Sequence, residues 1–340
     1  MWEDGPVFAH LKALTDERGV FEHARFDEPR REHGYCVDDV ARALVVLSRE
    51  PELGPDLAAI AHMCLGFVEQ SIAPDGRVRN RMSRDGRFQG EPSSGDCWGR
   101  AVWSLGTAAA RLEGPAEAGR ALAGFHRMAS VRSLHLRPMA FAALGAFEVL
   151  QVVPGDPLAR GILRAAADAI RTPPDPSWPW PERRLRYANA ALAEALITAG
   201  AGLDEPSIQD RGLAMLRFLL DVETVDGRLS ITGTRGRRRG DTAPQFDQQP
   251  IEVAALADAC ARAFELTGET HWREAVEMAW SWFEGDNDSG TPMVDHETGA
   301  GFDGLTRKGR NENRGAESTL AMLSTFQQAR RIASVPAVVQ

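Results

Sequence analysis

The residues best suited to chemistry form one short run, His33-Gly34-Tyr35-Cys36-Val37-Asp38-Asp39-Val40-Ala41-Arg42-Ala43-Leu44. Two adjacent carboxylates open an Ala/Leu-rich stretch. On a helix, consecutive residues point about 100° apart, so one aspartate caps or faces a neighbour while the other faces a cavity. Like charges side by side raise one pKa, which suits a general acid. Asp247 stands before Gln248, Gln249 and Pro250, a helix-start pattern. Glu317 lies within Asn313-Arg314-Gly315-Ala316-Glu317-Ser318. A carboxylate in so apolar a helix needs either an arginine partner or a functional role. Glycoside cleavage requires a pair of carboxyl groups. Asp38, Asp39, Asp247 and Glu317 are therefore the candidate acid, base or nucleophile.

A second set of residues suits the binding of hydroxyl-rich rings. It comprises His33, Tyr35, Asp96, Trp98, Arg100, Arg137, Trp180, Arg186, Asn189, Gln248, Gln249, Asp303 and Asn313. Amides, arginines and carboxylates bond hydroxyls, and aromatic faces stack on sugars. Each has a structural competitor. A lone Asp or Asn near a helix start more often caps free N–H groups. Trp98, Trp178 and Trp180 are each more often core than platform, and Asp303-Gly304 reads first as a turn.

Six segments form long apolar helices rich in alanine: 38–48, 98–110, 138–150, 187–199, 250–264 and 315–327. Apolar residues occupy nearly every face, so these helices are buried all round. Amphipathic stretches lie between them, at 6–14, 56–70, 116–129, 157–171, 206–220 and 270–283, with the 3.6-residue period clear at Leu213, Leu216, Leu219 and Leu220. Alternation of buried and amphipathic helices predicts an all-α (α/α)6 barrel over 1–330, with a tail at 331–340. Links from buried to amphipathic helices are short. The opposite links are long, at 15–37, 71–97, 172–186, 221–249 and 284–314. All long loops therefore gather on the face where the buried helices begin, where sites are built. Asp75-Gly76, Asp85-Gly86 and Asp226-Gly227 predict short β-hairpins there.

Composition narrows the function. The net charge of -9 argues against non-specific nucleic-acid binding. The basic run Arg235–Arg239 reads as a solvated or substrate-facing loop. No run of about 18 consecutive apolar residues occurs, so no transmembrane helix is expected. The start is acidic and lacks an apolar signal core, and four cysteines form no disulfide framework. The expected location is cytoplasmic, with free thiols. Lysine occurs only at Lys12 and Lys308, the arginine-rich usage of a GC-rich bacterial genome.

The stretch His33–Leu44, with Asp303-Gly304-Leu305 through Asn313–Thr319, resembles an (α/α)6 domain of bacteria and archaea. That domain is often fused to, or encoded beside, sugar-nucleotide glycosyltransferases. No nucleotide-binding Rossmann half is present, so the resemblance implies a glycosyltransferase as partner rather than as activity. Tyr35-Cys36-Val37-Asp38-Asp39 is also similar to the paired-aspartate motif of endo-α-1,6-mannanase-type glycoside hydrolases. That similarity implies nucleophile and acid/base roles for Asp38 and Asp39, although Val40-Ala41-Arg42 stands where those enzymes carry aromatic residues. The expected function is a glycoside hydrolase acting on an oligosaccharide, such as a mannoside, with no cofactor.

Three other readings stay open. The N-acylglucosamine 2-epimerase group shares the toroid and uses histidines, for which His33, His135 and His296 are available. Zinc toroids use Cys and His ligands; here Cys36 and Cys97 are isolated, without Cys-Xaa-Xaa-Cys, and no metal is expected. A non-catalytic carbohydrate-binding module is the last. A terpene cyclase is excluded, because Asp38-Asp39-Val40-Ala41-Arg42 lacks the third acidic residue for magnesium diphosphate.

Overall fold

The computed structural model describes residues 5–173 and 175–334. Among these, six inner helices are α2 (Val37–Arg49), α4 (Asp96–Arg111), α6 (Leu136–Val152), α8 (Asn189–Leu203), α10 (Pro250–Thr267) and α12 (Ala316–Ala333). The outer helices are α1 (Ala9–Ala13), α3 (Pro55–Ser71), α5 (Pro115–Met128), α7 (Pro157–Ala169), α9 (Pro206–Glu223) and α11 (Thr270–Glu284). All twelve expected helices form, and the fold is the (α/α)6 barrel. The expected tail at 331–340 falls partly within α12, and 335–340 lie outside the described residues.

The alternation in sequence becomes two layers. The inner helices bury both faces; in α6 every residue from Arg137 to Val149 is buried. The outer helices bury one stripe, as Ile208, Leu213, Met215, Leu216 and Leu219 do in α9. Inner neighbours pack in cyclic order, and α12 closes the ring on α2. Glycine brings α4 and α6 closest. A Cβ on Gly106 would lie 2.2 Å from the Gly145 carbonyl, and one on Gly145 would lie 2.3 Å from that of Val102.

Links from inner to outer helices span only 50–54, 112–114, 153–156, 204–205 and 268–269. Four outer helices start with proline at the first turn, where its missing N–H is harmless. The return links are long, except 129–135, and carry the β structure. Arg81–Met82 and Phe88–Gln89 pair across Asp85-Gly86, and Thr224–Val225 pairs with Arg228–Leu229 across Asp226-Gly227. Asp226 and Gly227 both take positive φ, 51° and 79°, as a type I′ turn requires. Asp75-Gly76 makes a tight turn closed by a single Ile72–Val78 bridge rather than paired strands. Further short pairs, such as Gly304–Thr306 with Gly309–Asn311, lacked an Asp-Gly signal. Two long-range pairs, Tyr35–Cys36 with Arg81–Met82 and Arg184–Leu185 with Arg237–Arg238, each join two different loops.

Candidate active site

The inner helices begin at one end of the barrel, so their positive dipole ends converge there. Their first turns carry Asp38 and Asp39 on α2, Asp96 on α4, Glu252 on α10 and Glu317 on α12. Above them lies an open cavity of about 540 Å3. Its wall includes Asp38, Asp39, Asp96, Asp303 and Glu317, together with Arg42, Arg100, Tyr187 and Gln249.

The adjacent aspartates point apart, as a helix demands. Asp38 Oδ2 accepts from the Asn80 amide at 2.9 Å. Asp38 Oδ1 faces Arg100 Nε at 3.2 Å as an ion pair, off the line of a hydrogen bond. Asp39 is 3 % exposed. Its Oδ1 accepts from Arg42 at 2.5 Å and its Oδ2 from the Cys36 thiol at 3.1 Å. Burial pushes the Asp39 carboxyl up to about 6; Arg42 opposes this and Glu317 adds to it. Arg42 also donates to Glu317 Oε2 at 2.5 Å, leaving the other Glu317 oxygen to the cavity. One guanidinium thus ties α2 to α12 and holds two carboxylates of the wall.

The remaining expected site residues divide clearly. Asp96 lines the cavity and hydrogen-bonds the Tyr187 phenol. Asp303 lines it too, accepting from the Gly315 N–H at 2.7 Å and bonding Ser318, with its carboxyl raised by burial. Gln249 lines this cavity and a neighbouring one. Arg186 lines only the neighbour. Asp247 is exposed and lines neither cavity, although its carbonyl accepts from the N–H of Thr234, a residue of the neighbouring cavity's wall. Gln248 is buried and spent on Asp288, Gln245 and Trp282. Arg137 lies beneath Tyr187, bonded to its carbonyl and paired with Glu182. Asn189 and Asn313 bond backbone groups at helix and hairpin junctions. Trp98, Trp180 and Tyr35 are core residues, the last bonded to Asp16. His33 is exposed, with its Nδ1 3.0 Å from that of His23.

Several wall residues escaped the sequence reading. Tyr187 is the main aromatic of the cavity, 44 % exposed, where Trp98 and Trp180 had been expected. Burial and Asp96 raise its phenol to about 12. It sits in the position taken as the first turn of an apolar helix; α8 starts two residues later, after Ala188 at φ 45°. Glu22, His23, Asn80, Arg81 and Asn311 come from loops whose sequence carries no helical period. The only signal for them was the length of those loops.

Among the described residues one group has metal-ligand proximity: ligand atoms of Glu22, Cys36 and Asp39 lie within 4.8 Å of one another. Two guanidinium groups already neutralise it, Arg81 at Glu22 and Arg42 at Asp39, and Cys36 donates its thiol proton to Asp39. Cys97 lies apart, near Ser93 and the Val78 carbonyl.

No protein-family model and no curated protein sequence matches the chain. Solved structures do. A sugar epimerase from a ruminal bacterium is 12 % identical, with TM-score 0.72 and 96 % of each chain covered. The cellobiose 2-epimerase from Bacillus thermoamylovorans is 10 % identical, with TM-score 0.72, covering 97 % of this chain and 96 % of its own. A GH76 α-mannanase from Bacteroides thetaiotaomicron is 9 % identical, with TM-score 0.64, covering 95 % and 93 %. At these identities the likeness establishes the fold: the chain has the (α/α)6 toroid that these carbohydrate-processing enzymes share.

Proposed function

We propose that this chain is a carbohydrate-active enzyme, a glycoside hydrolase acting on an oligosaccharide. The observation that carries the reading is the convergence of Asp38, Asp39 and Glu317 on one open cavity, with Arg42 fixing two of them. The Asp39 carboxyl, raised to about 6, suits the proton donor to a glycosidic oxygen. Asp38, held by Asn80 and Arg100, and Glu317, with one oxygen free, suit the second carboxylate that attacks or activates water. Tyr187 offers the ring face, and Gln249 and Asp96 bond hydroxyls. Asp247, exposed and outside the lining of both cavities, is given no role in this reading. A cytoplasmic site of action fits the four buried free thiols. A neighbouring glycosyltransferase would then make or use the same glycan.

Hydrolysis of an α- and β-linked oligosaccharide panel tests this. Asp38→Asn, Asp39→Asn and Glu317→Gln should each cut kcat by at least ~100-fold with the circular dichroism spectrum retained. Normal turnover in all three variants sinks the assignment.

A second reading rests on His23. It lines the cavity 3.5 Å from Glu22 and beside His33, whereas His296 pairs with Glu284 elsewhere on the fold. An epimerase or isomerase would use such an imidazole to move a proton at a sugar carbon. Incorporation of deuterium from D2O into a free sugar, lost in His23→Ala, favours this alternative. A hydrolase incorporates none.

A further inference from the structure

The acidic cavity opens beside a second one of about 370 Å3, and the two share Arg100, Tyr187, Gln249 and Glu317. The second has the opposite character. Arg100, Arg184, Arg186 and Arg235 line it with Thr232 and Thr234. Its acidic groups are Glu317, which Arg42 already holds, and Glu252. Both Glu252 oxygens are taken by the N–H groups of Ala188 and Asn189, and burial raises its carboxyl to about 8. Burial thus disfavours the charged form of Glu252, and with its oxygens on backbone N–H groups it pairs with none of these arginines.

These arginines are placed by structure. The pairing of Arg184–Leu185 with Arg237–Arg238 joins the loop before α8 to the loop before α10. Arg237 is buried and bonds the Val222 and Ser230 carbonyls, anchoring the basic run from below. Gly236, at φ 73°, passes so near the Leu185 carbonyl that a Cβ would lie 2.4 Å from it. Arg239 turns away to Asp175 at 3.2 Å. Arg235 and Arg184 are left at the cavity with no side-chain partner among the described residues. Arg186 makes a single 3.4 Å contact with Glu182. A guanidinium without a protein carboxylate, next to others, is a site for carboxylate, sulfate or phosphate.

We propose that the substrate is an anionic saccharide: the reacting linkage lies over the carboxylates, and an acidic group on the adjoining sugar is bound by Arg184, Arg186 and Arg235. This rests on the carbohydrate reading above and adds the charge class of the glycan. The acidic group is a uronate carboxylate, a sulfate or a phosphate, and the test separates them.

The full chain is applied to an array of neutral, uronate-containing, sulfated and phosphorylated oligosaccharides, with inorganic sulfate as competitor. Binding should favour one anionic class, and millimolar sulfate should weaken it. The Arg184→Gln/Arg235→Gln variant should lose at least tenfold in affinity for that class. Arg239→Gln removes a charge from the same run outside the cavity and should leave affinity unchanged. Preference for neutral glycans, or equal loss in both variants, overturns the anionic inference and leaves the carbohydrate reading standing. Binding of no glycan class overturns both.

Discussion

At the level of single residues, the Asp38-Asp39 pair divides its labour. Asp38 faces Asn80 and Arg100, while Asp39 turns inward to Arg42 and Cys36. Burial and the Glu317 charge both favour the protonated form of Asp39, so its proton leaves as pH rises through about 6. If Asp39 is the acid, kcat/KM falls about tenfold per pH unit above that value, because only the protonated fraction acts. Glu317→Gln removes a repelling charge, and the Asp39 titration followed by carbon NMR should then move to lower pH. An unmoved midpoint contradicts the coupling. The sequence made this pair conspicuous through adjacency. It could not say which aspartate is buried, because that depends on the rotation of α2 against α12.

At the level of elements, two junctions bear most on the site. The first is the start of α8. Ala188 takes φ 45°, and no side chain of its own caps the helix. Glu252, reaching across from α10, accepts the Ala188 and Asn189 N–H groups instead. Its carboxyl is raised from 4.5 to about 8 by burial, with Glu223 adding to it. The unfolded chain releases this proton near pH 4.5 and the folded chain keeps it to about 8, so stability falls as pH rises between them. Glu223 is raised by burial as well and adds to the same slope. Glu252→Gln should flatten the decline, read as the urea midpoint at pH 5 and pH 8; an unchanged slope counts against this account. The second junction is the glycine contact between α4 and α6. Gly145→Ala drives a methyl against the Val102 carbonyl, 2.3 Å away. Neither helix can retreat within a closed ring, so the loss should be about 2 kcal/mol or more by chemical denaturation. Both junctions pair residues distant in sequence, and periodicity carries no record of them.

At the level of the whole molecule, the ring is tied across its axis as well as around it. Asp258 on α10 accepts from Arg49 of α2 at 2.8 Å and from Gln328 of α12 at 2.6 Å, with Ser324 at 3.2 Å. Glu148 of α6 receives Arg111 of α4 and Arg262 of α10, and those two charges hold its carboxyl down to about 2 against burial. These buried ion pairs sit at the end away from the cavity, where the inner helices finish and their dipoles favour cations. Asp258→Ala leaves the Arg49 charge buried without its carboxylate and should lower stability by about 3–5 kcal/mol. Loss of less than ~1 kcal/mol in a denaturant titration argues against the network's role. The opposite end is left free for loops. Among the described residues no helix is long and apolar enough to cross a membrane.

Sequence alone determined the twelve helices, their sorting into two layers and the face on which the long loops gather. Those properties follow from local periodicity and from link length, which the chain carries in order. It also marked Asp38, Asp39 and Glu317, since carboxylates at the starts of apolar helices stand out against their surroundings. Tertiary structure alone decided which expected residues meet. Trp98 and Trp180 went to the core because their large apolar surface outweighs any use at the mouth. Tyr187, Arg81 and Asn80 reached the cavity through loop paths set by backbone pairing between distant segments. The division of the mouth into an acidic half and a basic half is likewise tertiary. It arises from the Arg184–Leu185 and Arg237–Arg238 pairing, which joins two loops separated by helices α8 and α9.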